Sequence, residues 1–175
     1  AKAYVCEASV VVTPGTPEHC SDGSGSGYDC TPSTPDVYTC PDSYTFFNGG
    51  CYKYVSDPAD HSGAAESCYA SENGWLASLN TESKLGLVTF FGITVDTYFG
   101  LYKTESCSYP DCGNKLAWDT CTDCTSAPNG GYTLNMQGAE PDVDSNLYFY
   151  MDSGSAFKWR DDNGESAKAY LCEAS

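Results

Sequence analysis

Nine residues occur twice in this chain: AKAYVCEAS at Ala1 to Ser9 and AKAYLCEAS at Ala167 to Ser175. Eight of the nine positions match at an offset of 166 residues, and Val5 against Leu171 is the one difference. In the second copy, alternation puts Ala167, Ala169, Leu171 and Glu173 on one face of a strand and Lys168, Tyr170, Cys172 and Ala174 on the other. A match this long in a chain of 175 residues is not accidental. It is the signature of a tandem array, in which residues 1–9 are the closing strand of a preceding repeat. The chain is accordingly expected to be an excerpt of a longer protein.

Eleven cysteines are too many for a reduced compartment without a metal, so an extracellular, secreted setting is expected. The formal charge of −16, from 24 acidic and 8 basic residues, argues against nucleic acid and against anionic membrane surfaces. It leaves divalent cations and basic partners open, beside the plainer reading of a well-solvated surface. No apolar run is long enough to cross a bilayer.

Residues 10–39 read as a Thr/Pro/Gly/Ser-rich linker. Thr13, Thr16, Thr31 and Thr34 each precede a proline, and few apolar residues follow Val10, Val11 and Val12. Those threonines are candidates for O-glycosylation, against the alternative of an unmodified stiff spacer. Cys20 and Cys30 are expected to close a small loop within the linker.

The texture changes at Cys40, and residues 40–175 form the globular domain. Aromatic-rich strands around Asn48-Gly49-Gly50 predict a hairpin that Cys40 and Cys51 flank and could bridge. Asp57 or Asp60 can cap a first helix, with Pro58 in its first turn and Ala64, Ala65, Cys68 and Tyr69 on one face. WLASLN predicts a short strand. Asn80 or Thr81 then begins a second helix carrying Leu85, Val88 and Phe91, which Gly92 ends. DTYFGLYK, AFKWRD and AKAYLCEA read as strands, and residues 107–138 as a long loop. Cys107, Cys112, Cys121 and Cys124 lie in that loop. They can pair 107–112 with 121–124, pair nested as 107–124 with 112–121, or form a four-cysteine zinc site, which the oxidising setting disfavours. Two helices, small antiparallel sheets and a disulfide-rich loop make an α+β domain.

In its order of elements the chain resembles the C-type lectin-like domain family in its long form, over residues 40–173. The Cys-Pro hairpin, WLASLN, YFGL at Tyr98 to Leu101, EPD at Glu140 to Asp142 and WRD at Trp159 to Asp161 resemble that family's landmarks in order and spacing. The resemblance implies a disulfide from Cys68 to Cys172, which leaves Cys6 as an inter-unit cysteine. It also implies a second core disulfide, for which NLYFYM and DDNGESAKAY hold no cysteine. Loss of such a bridge costs a small secreted domain ~2–5 kcal/mol; the Tyr148, Phe149, Tyr150 cluster could offset part of that by burial.

In lectins of this family the tripeptide, a later acid and the Trp motif hold a calcium ion that takes two sugar hydroxyls. Carried onto this chain, the candidate sugar- and calcium-binding residues are Glu140, Asp142, Asn146 and Asp161. Arg160 stands where an asparagine ligand belongs, and a guanidinium cannot coordinate a cation. Asp144 or Asp162 could compensate and give weak binding, on the order of 10⁻⁴ to 10⁻³ M. Alternatively, Arg160 takes the cation position and pairs with Glu140 or Asp142. Calcium is the one cofactor this resemblance allows.

No catalytic residues are expected. His19 and His61 have no neighbouring nucleophile or acid pattern, and no phosphate-cradling glycine loop or nucleophile elbow is present. The expected function is a non-enzymatic structural or adhesive repeat, with neighbouring copies of itself as partners and assembly into a fibre or surface array. The alternatives are a calcium-dependent carbohydrate-binding lectin with glycan partners and a protein-binding lectin-like module.

Overall fold

The computed structural model describes residues 11–12, 38–71, 73–107, 112, 115–119, 135–138, 140–142 and 144–174. Ten strands are described: β1 Val11–Val12, β2 Tyr38–Thr39, β3 Thr45–Phe47, β4 Gly50–Ala59, β5 Trp75–Leu76, β6 Thr97–Lys103, β7 Leu116–Trp118, β8 Tyr148–Asp152, β9 Lys158–Asp162 and β10 Lys168–Glu173. Helix α1 spans His61–Ala70, and two short helices, α2 Glu82–Leu85 and α3 Leu87–Phe90, follow.

Local chemistry places these elements. Asn48 and Gly49, both at positive φ, turn β3 back into β4, as an Asn-Gly pair does in a tight hairpin. The Cys40–Cys51 disulfide pins that hairpin. Asp60 caps α1 by accepting a hydrogen bond of 2.7 Å from the Gly63 N–H. Pro58, expected in the first turn of the helix, is the penultimate residue of β4 instead. A β-strand ten residues long had already absorbed it. Val11–Val12 pairs antiparallel with Tyr38–Thr39, so the expected linker contributes one strand at each of its ends. The expected second helix is split at Gly86 into α2 and α3. Residues 107–138, read as loop, include β7, which pairs antiparallel with β6.

The strands join into one sheet of eight in the order β3-β4-β10-β6-β8-β9, with β5 also on β10 and β7 on β6. β10 is its centre. It runs antiparallel to β4 along one edge, while the other edge is shared by β6, in parallel, and β5, antiparallel. Both of its faces are buried, because period-2 alternation sends Leu171 into one apolar cluster and Tyr170 and Cys172 into another. Neighbouring strands divide the same way: Phe99, Leu101, Phe149 and Met151 go with Leu171, and Tyr98 and Tyr150 with Cys172.

The larger cluster is built on Phe99, Trp118 and Trp159, with ring centroids 5.0 to 6.2 Å apart. Each such ring contributes about 1.5–3 kcal/mol through burial. Phe149 and Met151, in the segment without the second core cysteine, are both fully buried. The smaller cluster holds the Cys68–Cys172 disulfide, which fastens α1 to β10 across 104 residues of sequence. Gly100 is where β6 and β5 touch. A Cβ there would lie 2.2 Å from the Leu76 carbonyl oxygen, so only glycine permits the contact.

Candidate functional site: an acidic cluster around Lys103

The site lies beyond the end of the larger core, where β6, β9 and the Glu140–Asp144 region converge. On β6 the inward sequence Phe99, Leu101 continues at the same spacing to Lys103, whose side chain is completely buried. On β9, Trp159 continues in the same way to Asp161, also buried. β8 lies between these two strands and sets their separation.

The Lys103 ammonium donates to Asp161 Oδ2 at 2.5 Å, to Asp144 Oδ1 at 3.2 Å and to the Asp142 carbonyl oxygen at 3.2 Å. An ammonium has three protons, and here each has an acceptor. That is the condition under which a charged lysine can be buried at tolerable cost.

Around this ion pair, Glu140, Asp142 and Asp161 each bring a carboxylate oxygen within 4.8 Å of the others. The Glu140–Pro141 peptide bond is cis, and Glu140 and Asp142 flank the proline. Burial and the neighbouring Glu140 carboxyl push Asp161 up to about 6, against the downward pull of Lys103. Asp144, despite the opposing cost of its own burial, is held below the usual carboxylate range by the Asn146 backbone N–H and by Lys103. Asn146 turns its side-chain amide to Asp144. The structure thus brings Glu140, Asp142 and Asp161 together and sets Asn146 one contact away.

Arg160 lies on the outer side. Its Nε donates to Glu140 Oε1 at 3.3 Å, and its Nη1 is 3.6 Å from Asp152 Oδ2, with 43% of the side chain exposed. Exposed pairs of this kind stabilise by at most about 1 kcal/mol. A shallow cleft of about 320 Å³, lined by Gln137, Gly138, Glu140, Asp142 and Arg160, opens beside the cluster.

A calcium ion needs six to eight oxygens. Of the three clustered carboxylates, one already neutralises a buried ammonium, and Arg160 offers no oxygen. As it stands, the donor set suits a cation supplied by the chain itself better than a metal.

Lys103 is absent from any sequence-level ligand list. Its signal was a cation at the core-facing register of an otherwise apolar strand, two residues after Leu101. Cys107 bonds Cys112, which excludes the nested pairing and removes both from a four-cysteine zinc site. Cys6, Cys20, Cys30, Cys121, Cys124, Thr13, Thr16, Thr31 and Thr34 lie outside the described residues.

No family model matches this sequence, and no curated protein matches it. Solved structures do. A calcium-dependent type II antifreeze protein in its calcium-free form superposes with a TM-score of 0.59 at 18% identity, over 78% of this chain and 100% of that one. A calcium-independent type II antifreeze protein superposes with a TM-score of 0.60 at 16% identity, over 81% and 98%. The C-type carbohydrate-recognition domain of cow CD23 gives 0.56 at 19%, over 77% and 95%. This chain has the C-type lectin-like fold. Here the Glu140, Asp142 and Asp161 carboxylates, the cis Glu140–Pro141 bond and β9 converge beside Lys103. Among the described residues, no helix is long and apolar enough to cross a membrane.

Proposed function

We propose that the chain is a non-enzymatic, secreted structural or adhesive repeat, built from lectin-like units in tandem and assembling into a fibre or surface array. In this reading residues 1–9 close a preceding unit, 10–39 link two units and carry the glycosylation candidates, and 40–175 are the lectin-like domain. The observation that favours a structural role over a calcium lectin is the buried Lys103 ammonium, which already takes the Asp161 and Asp144 carboxylates and the Asp142 carbonyl oxygen. The near-identical strand sequence 166 residues apart supports the tandem arrangement. Three disulfides support an oxidising location. Electron microscopy of the concentrated material tests the assembly: filaments or sheets are expected, and dispersed monomers would count against it.

A second reading, a glycan-binding lectin that uses calcium, has one observation in its favour. Glu140, Asp142 and Asp161 converge beside an open cleft, and the fold is shared with a carbohydrate-recognition domain. A glycan array run with and without calcium separates the two. Calcium-dependent binding of any glycan would establish the second reading; the first expects none.

A further inference from the structure

Among the described ion pairs, Lys103–Asp161 is the one that solvent does not reach. Its side chains are 0% and 1% exposed, against 9% and 18% for Lys168–Asp162 and 16% and 14% for Lys84–Glu173. Both residues sit on strands, each two positions beyond a fully buried core side chain, Leu101 on β6 and Trp159 on β9. The third member of the group is Glu140. Its carboxyl group hydrogen-bonds that of Asp161, and two carboxyl groups do so only by sharing a proton. Arg160 Nε holds Glu140 from the other side at 3.3 Å.

A dry lysine, a carboxyl group against it and a second carboxyl group to move protons are the components of amide formation. We propose that Lys103 and Asp161 condense into an intramolecular isopeptide bond, with Glu140 as the general acid–base. The ammonium with its three acceptors is the unreactive form. Passing one of its protons to the Asp161 carboxylate gives an amine and a carboxylic acid, an uncharged pair that a dry site tolerates better than two charges. The Nζ lone pair then attacks Cγ of Asp161. Glu140 takes a proton from Nζ and returns one to the departing hydroxyl, which leaves as water. One C–N bond forms and one C–O bond breaks; nothing is oxidised or reduced, and no other reagent is consumed.

Placement supplies what free reactants lack. With Nζ 2.5 Å from Oδ2, Cγ lies one bond further on, close to the ~3–3.5 Å of an attack-ready pair. Groups held this way react as if at ~10⁵–10⁸ M, far above the concentration of the bulk water that favours hydrolysis. Asp144 also accepts from Lys103, but at 3.2 Å and with 35% of its side chain exposed, so it is the poorer partner.

The bond joins β6 to β9 across β8 and closes 58 residues of chain. It gives this end of the domain a covalent tie, where NLYFYM and DDNGESAKAY hold no cysteine for a second core disulfide. Bond formation follows folding, so freshly refolded chain carries the ion pair and matured chain carries the amide. It is a single turnover on the chain itself and does not depend on assembly.

The test is the intact mass of the unaltered chain, reduced after folding and incubated at neutral pH until the mass is constant. A mass lower than that of the sequence by one water is expected, with a branched peptide joining Lys103 to Asp161 after proteolysis. Lys103→Arg should keep its full mass, and Glu140→Gln should lose water ~10²–10⁴-fold more slowly than the parent. Full mass in folded parent chain, or water lost while Lys103 stays in a linear peptide, would overturn the proposal. Glu140→Gln reacting at the parent rate would overturn the role given to Glu140. Filaments built from chain of full mass would sink the cross-link and leave the structural-repeat reading standing; cross-linked chain that stays dispersed would do the reverse.

Discussion

The ammonium of Lys103 lies 2.5 Å from Oδ2 of Asp161, with both side chains essentially excluded from solvent. They are brought together by β6 and β9, on either side of β8, at the register where each strand's inward face leaves the apolar core. Removing one partner of such a pair leaves the other charge buried without compensation. Lys103→Met should therefore lower the unfolding free energy by ~3–5 kcal/mol, measured by urea denaturation. Replacing both partners, Lys103→Met with Asp161→Leu, should recover most of that loss. A single variant as stable as the parent would mean that the pair is not held in the folded state.

Calcium should give no heat of binding at millimolar concentration in the parent chain, because Lys103 competes for Asp161 and for the Asp142 carbonyl. In Lys103→Ala the Asp161 carboxylate and the Asp142 carbonyl oxygen are freed, and millimolar calcium should raise the melting temperature of the variant and not of the parent. Calcium-dependent stabilisation of the parent would contradict the metal-free reading of the cluster.

Gly100→Ala should destabilise strongly. The new methyl would stand 2.2 Å from a backbone carbonyl oxygen, which cannot turn aside as a side-chain end could. A cost of ~3 kcal/mol is expected, at the upper end of ordinary overpacking, and thermal unfolding would read it.

His61 stacks on Tyr148 at 3.9 Å between centroids and meets Tyr98 edge-on at 5.4 Å. Burial lowers its pKa to about 4, although the Asp162 and Asp60 carboxylates pull the other way. The unfolded chain then binds a proton near 6.5 that the folded chain refuses until about 4, so this group's contribution is lost as pH falls between those values. Allowing for partial exposure, the loss amounts to about 2 kcal/mol. Asp161 and Asp119, both raised to about 6 by burial, act in the opposite direction over a similar range. The measurement is therefore the difference between the parent and His61→Phe. Stability should fall more steeply with acid in the parent, and parallel profiles would refute the assignment.

Cys172→Ser should cost about 4–5 kcal/mol, since the bond it removes closes a loop of 104 residues. Chemical denaturation of the purified variant measures it. A cost below ~1 kcal/mol would show that β10 is held by its hydrogen bonds and burial alone.

Much of the fold was legible because local rules act over a few residues. Asn48-Gly49 marked the hairpin, Asp60 capped its helix, and alternation in AKAYLCEA described a strand with two distinct faces. Pro58 and the unbroken second helix were misjudged because tertiary packing overrides local preference, with Pro58 at the end of a long strand and Gly86 between two short helices. The carboxylates of the cluster could be named from sequence order. Their cation could not be identified, because Lys103 is 37 residues from Glu140 and 58 from Asp161.

By itself the sequence determined the lectin-like order of elements, the abundance of cysteine and the doubled nine-residue stretch, since all three are properties of residue type and spacing. Only the tertiary structure decided what that order encloses. It placed β10 at the centre of an eight-stranded sheet and set a lysine where the acidic loop converges. Strand pairing fixes which side chains meet across tens of residues, and no local pattern records that.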